Sequence, residues 1–109
     1  MYFLGIDIGS SSVKVALVDA QTGEKHTLVQ VPEQEMSMQS LHKGWAEQDP
    51  DAWWQLVCEG IGKIRASTEV TQEQVRGIGI SYQMHGLVVV DENGLPLRPS
   101  IIWCDSRAV

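Results

Sequence analysis

Residues 4–14 read LGIDIGSSSVK: an apolar run ends in a carboxylate, and a glycine and three serines precede a second apolar run. The β-branched and aromatic content of Tyr2 to Ile8 is typical of a strand, and Val13 to Asp19 has the same character. The residues between them, 9–12, are too few for anything except a tight turn. The sequence therefore predicts an antiparallel hairpin that closes on a glycine-serine turn.

The predicted turn collects groups that suit a phosphate. Gly9 lets the backbone approach a ligand closely, and consecutive backbone N–H groups at such a turn can form an anion-binding concavity. Serine hydroxyl groups add donors and a lysine adds positive charge, so the residues expected to bind phosphate are Gly9, Ser10, Ser11, Ser12 and Lys14. Asp7 stands at the mouth of the turn, where its carboxylate could hold a hydrated Mg²⁺. These groups favour a nucleotide phosphate site, and an ordinary polar turn is the alternative.

Two other phosphate motifs are excluded by the sequence. A P-loop needs two glycines further apart than Gly5 and Gly9, a Lys-Ser or Lys-Thr pair, and a helix where a strand is expected here. The dinucleotide pattern G-x-G-x-x-G begins at Gly77 and Gly79, but Tyr82 stands where the third glycine should be.

The composition limits the partners of this chain. Its 109 residues suit one domain or part of one, and a hydrophobic content of 43% is enough for a core. The formal charge of −6 argues against sequence-independent binding to nucleic acid and gives no attraction to anionic membranes. No apolar run approaches the ~20 residues of a membrane span, and no signal peptide is visible. Cys58 and Cys104 lack metal-ligand spacing, so we expect a reducing, cytoplasmic compartment.

The rest of the chain gives a predicted β-β-β-α-β-β order up to residue 90, followed by one more strand near the end. A helix is expected from Pro50, with Asp49 as its N-cap, to about Ser67. Residues 33–48 are expected to form a polar surface excursion. The remaining strands are expected at Lys25 to Val31, at Arg76 to Ser81 in the centre of the sheet, at Leu87 to Val90 and at Ser100 to Trp103.

The predicted helix has one apolar face. Its expected buried residues are Trp53, Val57, Ile61 and Ile64, with Trp54 and Cys58 packed beside them. Gly60 and Gly62 weaken the helix, and we expect them to allow close approach to the sheet. Glu47, just before the helix, is expected to be a solvent-exposed charge.

Polar loops follow two later strands, at Gln83 to Gly86 and at Trp103 to Arg107. Ligands bind at strand ends in an α/β sheet, so these loops can converge on one crevice. A sugar needs polar groups for its hydroxyls and flat apolar surface for its C–H faces. The residues expected to bind it are Gln83, Met84, His85, Trp103, Asp105 and Arg107, with Trp45 as a further apolar surface. A structural histidine is the alternative for His85, and core packing is the alternative for the tryptophans.

Several segments resemble known kinases. Residues 7–14, DIGSSSVK, resemble the first phosphate motif of the sugar kinase, actin and Hsp70 superfamily, which lies on a hairpin between the first two strands. SYQMHGLV at 81–88, RPSIIWCDSR at 98–107 and GWAEQDP at 44–50 narrow the resemblance to the FGGY carbohydrate kinases, and within them to members that phosphorylate D-xylulose. The resemblance covers essentially the whole chain and implies an α/β fold with a ribonuclease H-like nucleotide-binding core, incomplete here.

The resemblance also implies an activity, which is ATP-dependent phosphorylation of D-xylulose at its 5-hydroxyl with Mg²⁺. It implies that Asp7 is important for activity and reaches the metal through water, and that Met84 and His85 contact the ketopentose. Members of the family are several times longer, and their general-base Asp and adenosine site lie later in the chain. We therefore expect residues 1–109 to be an N-terminal fragment of the first domain, inactive alone, with apolar sheet surface that favours a homo-oligomer.

Three alternatives stay open at this point. The first is another FGGY kinase that acts on a different sugar or polyol. The second is an actin-like or chaperone-like ATPase, although such proteins have no need for the polar segments at 83–86 and 103–107. The third is a stand-alone binding module. D-xylulose and ATP are the expected partners, with no nucleic acid and no membrane.

Overall fold

The computed structural model describes residues 1–108, and within them it gives one helix of several turns, a short 3₁₀ turn and six strands. The elements are β1 (Tyr2–Ile8), β2 (Val13–Asp19), β3 (Lys25–Val31), β4 (Glu47–Gln48), α1 (Pro50–Ser67), the 3₁₀ turn (Gln72–Gln74), β5 (Val75–Tyr82) and β6 (Ser100–Ile101). None of the helical segments in residues 1–108 has the length and apolar content needed to cross a membrane.

β1 and β2 form the predicted hairpin. They pair antiparallel along their whole length, from Tyr2 opposite Asp19 to Ile8 opposite Val13. β3 joins the far side of β2, and β5 joins β1 in parallel, so the order is β3-β2-β1-β5. A parallel pair requires a crossover connection, which α1 provides between β3 and β5.

The hydrophobic core lies between α1 and one face of this sheet. Buried and exposed residues alternate along the first part of β2, as they should when one face of a strand is covered. The core cluster consists of Leu4, Ile6, Val13, Val15, Leu17, Val57 and Ile64. α1 begins where predicted because the Asp49 carboxylate accepts the N–H of Asp51 at 2.9 Å and Pro50 follows the cap.

One of the two helix glycines sets the distance between α1 and the sheet. A Cβ built on Gly60 would lie 2.6 Å from Cγ2 of Val15, so only glycine allows this approach. The same expectation for Gly62 is wrong, since a Cβ there would meet nothing within 4 Å. The predicted packing of Trp54 and Cys58 is also wrong: both are exposed, and Trp54 is 67% exposed. Each of them comes one residue after an inward-facing position. One residue is a rotation of about 100° about the helix axis, which turns the side chain away from the core.

β5 is an edge strand among the described residues, so its expected central position is wrong for this chain. α1 packs on β2 and β3 and leaves the β5 side of the same face uncovered. Ile78 and Ile80 lie in register with Leu4 and Ile6 but are 61% and 59% exposed. This surface suits the expected self-association, which stays a prediction.

The later strands are shorter than predicted. Residues 87–90 form only isolated bridges, of Leu87 with Ile101 and of Val90 with Pro96. The last strand stops at Ile101, because a turn closed by the Asp105 N–H and the Ile102 carbonyl at 2.9 Å bends the chain away. It pairs with β4 in a separate two-stranded sheet and does not join the main sheet.

The excursion at 33–48 ends in β4, whose two residues are buried. Glu47 is 2% exposed and Gln48 is 3% exposed. The expectation that Glu47 is a solvent charge is therefore wrong. Pairing with β6 draws this residue inward, and the guanidinium groups of Arg98 and Arg107 balance its charge.

Candidate functional site

The turn between β1 and β2 is closed by its own backbone. The N–H of Gly9 donates to the carbonyl of Ser12 at 3.0 Å. A Cβ on Gly9 would lie 3.1 Å from that same carbonyl oxygen, which explains why the position suits glycine. The turn at residues 9–12 is therefore compact and lies at the end of β1.

The peptide groups of this turn are oriented so that several N–H groups stay free. The carbonyl of Ser10 accepts from Nε2 of Gln48, and that of Ser11 accepts from the N–H of Met36 at 2.6 Å. Within residues 1–108, no acceptor takes a hydrogen bond from the backbone N–H of Ser10, Ser11 or Ser12. Consecutive unpaired N–H groups of this kind can form an anion-binding concavity.

Asp7 and Lys14 lie beside the turn, on the sheet face opposite α1. They are directly opposed across the hairpin, and both are exposed. With Ser81 of β5 they line an open depression of about 540 Å³. Lys14 forms no ion pair with any residue of the 1–108 range, so its ammonium group is available to a ligand.

The predicted substrate loop starts next to this turn. The N–H of Gln83 donates to the carbonyl of Ile8 at 2.9 Å, which joins the loop after β5 to the end of β1. Met84 is 64% exposed. His85 has φ of 63°, a left-handed conformation that few residues other than glycine adopt and that is enriched at functional sites. The carboxyl ends of parallel β1 and β5 thus place both candidate sites at one edge of the sheet.

The structure also brings Trp103 to the turn. Its indole N–H donates to Oγ of Ser10 at 3.2 Å, and 58% of the residue is exposed. An exposed ring fixed at its polar end is suited to present an apolar surface to a ligand. Two segments that carry predicted sugar-binding residues therefore lie next to the phosphate turn. They contain four of the six predicted residues: Gln83, Met84, His85 and Trp103.

Asp105 and Arg107 are engaged with each other. Both oxygens of the Asp105 carboxylate accept from Arg107, with Nη2 to Oδ2 at 2.7 Å, and Oδ2 also accepts the N–H of Ala46 at 2.6 Å. These hydrogen bonds hold the pKa of the Asp105 carboxyl well below its usual range and raise the pKa of Arg107. Arg107 also contacts Glu47 at 3.1 Å and lies 3.8 Å above the ring of Trp45. The cluster fastens the segment that carries Trp103 to the end of the excursion.

Sequence reasoning missed Gln48, Glu47 and Arg98 as parts of the site. Gln48 contacts the phosphate turn. Glu47 forms an ion pair with Arg98, which lies 51 residues later in the chain. The side-chain pattern of the segment GWAEQDP at 44–50 gives no sign of burial. No local signal could have found them, because the strand and the arginine that bury them, β6 and Arg98, lie about 50 residues later in the chain.

Comparisons with known proteins agree with this geometry. A family model described as "FGGY family of carbohydrate kinases, N-terminal domain" matches residues 2–109. The xylulose kinase of Staphylococcus epidermidis is 42% identical over 95% of this chain. The crystal structure of a xylulose kinase from Brucella ovis superposes with a TM-score of 0.89 at 34% identity and covers 99% of this chain. A gluconate kinase from Lactobacillus acidophilus gives a TM-score of 0.82 at 27% identity over 95% of this chain.

These matches concern part of the other proteins. The chain spans 20% of the length of the Staphylococcus epidermidis relative, 22% of the Brucella ovis kinase and 20% of the gluconate kinase. The fold class predicted from the sequence, an α/β core of the actin, Hsp70 and sugar kinase superfamily, is confirmed by these solved structures. With a family match over nearly all of its residues, this chain belongs to the FGGY family of carbohydrate kinases.

Proposed function

We propose that this chain forms the N-terminal part of a longer ATP-dependent kinase (the full-length kinase) that phosphorylates D-xylulose on its 5-hydroxyl. The observation that carries the proposal is the adjacency of the anion-binding turn at 9–12 and the substrate loop at 83–86, joined by the Gln83 N–H and the Ile8 carbonyl. Direct transfer needs donor and acceptor atoms about 3–3.5 Å apart. Similarity to xylulose kinases supports the choice of sugar.

In this proposal the turn binds the phosphate groups of ATP. The free N–H groups of Ser11 and Ser12, the serine hydroxyls and the ammonium of Lys14 give donors of the right sign on a short stretch of chain. Phosphoryl transfer depends mainly on alignment and on stabilisation of negative charge. Rigid backbone donors meet both needs because they are oriented before the ligand binds.

The donor set also fits the Mg²⁺ that accompanies ATP. Asp7 is exposed, and its carboxylate accepts no hydrogen bond within residues 1–108. That range contains no group of three acidic, histidine or cysteine side chains that could enclose a metal. Mg²⁺ is usually held by one or two carboxylates, water and phosphate oxygens, so Asp7 alone suits it, directly or through water. Bound there, the ion would neutralise charge on the transferring group.

The sugar would bind between the loop at 83–86 and Trp103. His85 provides a polar group for hydroxyls, while Met84 and Trp103 provide exposed apolar surface. The amide of Gln83 is directed toward Gln48 and supports the loop from inside. Asp105 and Arg107 are hydrogen-bonded to each other, and Arg107 also pairs with Glu47. We therefore assign them mainly to holding the Trp103 segment. The proton of the reacting hydroxyl would pass to a general base outside this chain, as the resemblance implies.

A second candidate is a kinase for another sugar or polyol, and the similarity to a gluconate kinase favours a substrate other than D-xylulose. An assay that couples ADP formation to a panel of D-xylulose, L-xylulose, gluconate and glycerol separates the two. We expect the highest kcat/KM with D-xylulose. A preference for gluconate or glycerol would favour the second candidate, and no phosphorylation of any sugar would contradict both. We propose a cytoplasmic location for the full-length kinase, which the free thiols of Cys58 and Cys104 in this chain support.

A further inference from the structure

The carbonyl groups of the phosphate turn are held by residues outside the turn. Gln48 donates to the Ser10 carbonyl through its amide nitrogen, and the Met36 N–H donates to the Ser11 carbonyl at 2.6 Å. The C=O and N–H of a trans peptide point in opposite directions. Holding the Ser10 carbonyl toward the excursion therefore directs the N–H of Ser11 to the opposite side of the turn.

The orientation of the Gln48 amide is fixed by Trp53. The indole Nε1 of Trp53 lies 3.0 Å from Oε1 of Gln48, and an indole N–H can only donate. The amide oxygen of Gln48 must therefore face Trp53, which leaves its nitrogen to face Ser10. Since Gln48 is 3% exposed, water has little access to compete for either bond.

We propose that Gln48 is a positioning residue for nucleotide binding, which holds the Ser10–Ser11 peptide so that its N–H, and not its carbonyl oxygen, faces the phosphate of ATP. This rests on the proposed kinase function. Without the Gln48 amide, the peptide can rotate and turn its oxygen toward the anion, where the two negative partial charges repel. The residue acts through the backbone of the turn and does not itself touch the nucleotide.

A second contact of Gln48 reaches the substrate loop and is weaker. Nε2 of Gln83 lies 3.5 Å from Oε1 of Gln48, at the upper limit for a hydrogen bond. Oε1 of Gln83 is buried and has no partner within residues 1–108. If the Gln83 amide were turned by 180°, its oxygen would face the amide oxygen of Gln48, and the two would repel. Because the contact with Gln83 is at the limit of hydrogen-bond length and Gln48 donates directly to the Ser10 carbonyl, we expect loss of Gln48 to affect the nucleotide more than the sugar.

Steady-state kinetics of the full-length kinase test the proposal. Gln48→Met keeps the length of the side chain and removes both the donor and the acceptor of the side-chain amide. We expect the KM for ATP, and the Kd of a non-hydrolysable ATP analogue, to rise about tenfold, and the KM for D-xylulose to change less than about twofold. A merely structural role would reduce the active fraction and leave both KM values unchanged.

Two tryptophans on α1 provide a matched pair of variants that keeps the test decisive if Gln48→Met does not fold. Trp53→Phe removes the N–H that orients Gln48, and we expect a rise of about threefold in the KM for ATP. Trp54→Phe should change nothing, since Trp54 is 67% exposed.

Different outcomes overturn different claims. Unchanged affinity for the ATP analogue in both Gln48→Met and Trp53→Phe, or equal rises in both KM values, overturns the role of Gln48 alone. A full-length kinase that phosphorylates no sugar overturns the proposed function, and the role of Gln48 falls with it.

Discussion

Lys14 stands directly opposite Asp7 across the β1–β2 hairpin, and the two side chains form no ion pair within residues 1–108. The register places a cation and a carboxylate on the same side of the phosphate turn. Left unpaired, they can act on the opposite charges of a single ligand, phosphate oxygens for Lys14 and a divalent cation for Asp7.

Asp7→Asn should reduce turnover far more than sugar binding. The change removes one negative charge at the phosphate turn, where charge is reorganised in the transition state, and leaves the loop at 83–86 intact. We expect kcat of the full-length kinase to fall at least about a hundredfold, with KM for D-xylulose nearly unchanged. Asp19→Asn at the other end of the same hairpin is the control, because asparagine can keep the turn contacts with Gln21 and Thr22. Near-normal kcat for Asp7→Asn would remove this carboxylate from the mechanism.

His85→Ala should weaken sugar binding selectively. Loss of the partner of a buried sugar hydroxyl costs about 1–3 kcal/mol, so KM for D-xylulose should rise about five- to 150-fold while KM for ATP stays nearly unchanged. The backbone of His85 has φ of 63°, which alanine tolerates poorly. His85→Asn therefore serves as a second variant, since asparagine accepts this conformation. If both variants change the two KM values equally, His85 has a structural role.

Glu47→Gln should destabilise the chain strongly, because it leaves guanidinium groups without their buried partner. The Glu47 side chain is 3% exposed and contacts Arg98 and Arg107. Removing one partner of a buried pair costs about 3–5 kcal/mol, and we expect the lower end because Arg98 can turn to water. Urea denaturation of the chain measures the loss. Glu59→Gln is the control, since Glu59 and Lys63 form a surface pair at 3.7 Å that contributes less than about 0.5 kcal/mol. Equal effects of the two changes would contradict the assigned burial of Glu47.

Gly60→Ala and Gly62→Ala should have opposite effects on stability although they lie on the same helix. The new methyl at Gly60 would lie 2.6 Å from Val15 and force α1 away from the sheet, at a cost of about 1–3 kcal/mol. At Gly62 the methyl meets open space, so the gain in helix propensity of about 1 kcal/mol remains. Urea midpoints of the two variants, compared with the unchanged chain, decide this. A stabilising Gly60→Ala would show that α1 is not held as closely as described.

The elements that the sequence predicted correctly are those with local signals. The hairpin is determined by a short turn between two apolar runs, and the start of α1 by Asp49 and Pro50. Gln48 and Glu47 could not be recognised in this way. Their partners Gln83 and Arg98 lie 35 and 51 residues later, and the short strand that buries them exists only after β6 has paired. The same limit applies to β5, whose apolar pattern predicts burial but cannot say that α1 leaves it uncovered.

Acid should weaken the chain through Asp105. Hydrogen bonds from Arg107 hold the pKa of the Asp105 carboxyl below its usual value, so the carboxylate is more stable in the folded than in the unfolded chain. This contribution is fully present above the ordinary pKa of about 3.9 and is lost progressively as the pH falls below it toward the folded pKa. The urea concentration at the unfolding midpoint should therefore decrease as the pH is lowered below about 4. Asp105→Asn should remove that part of the pH dependence and lower stability at neutral pH. Glu92→Gln, at an exposed turn, should leave the profile unchanged. An Asp105→Asn chain with an unaltered acid profile would show that the Asp105–Arg107 contact does not control this carboxylate.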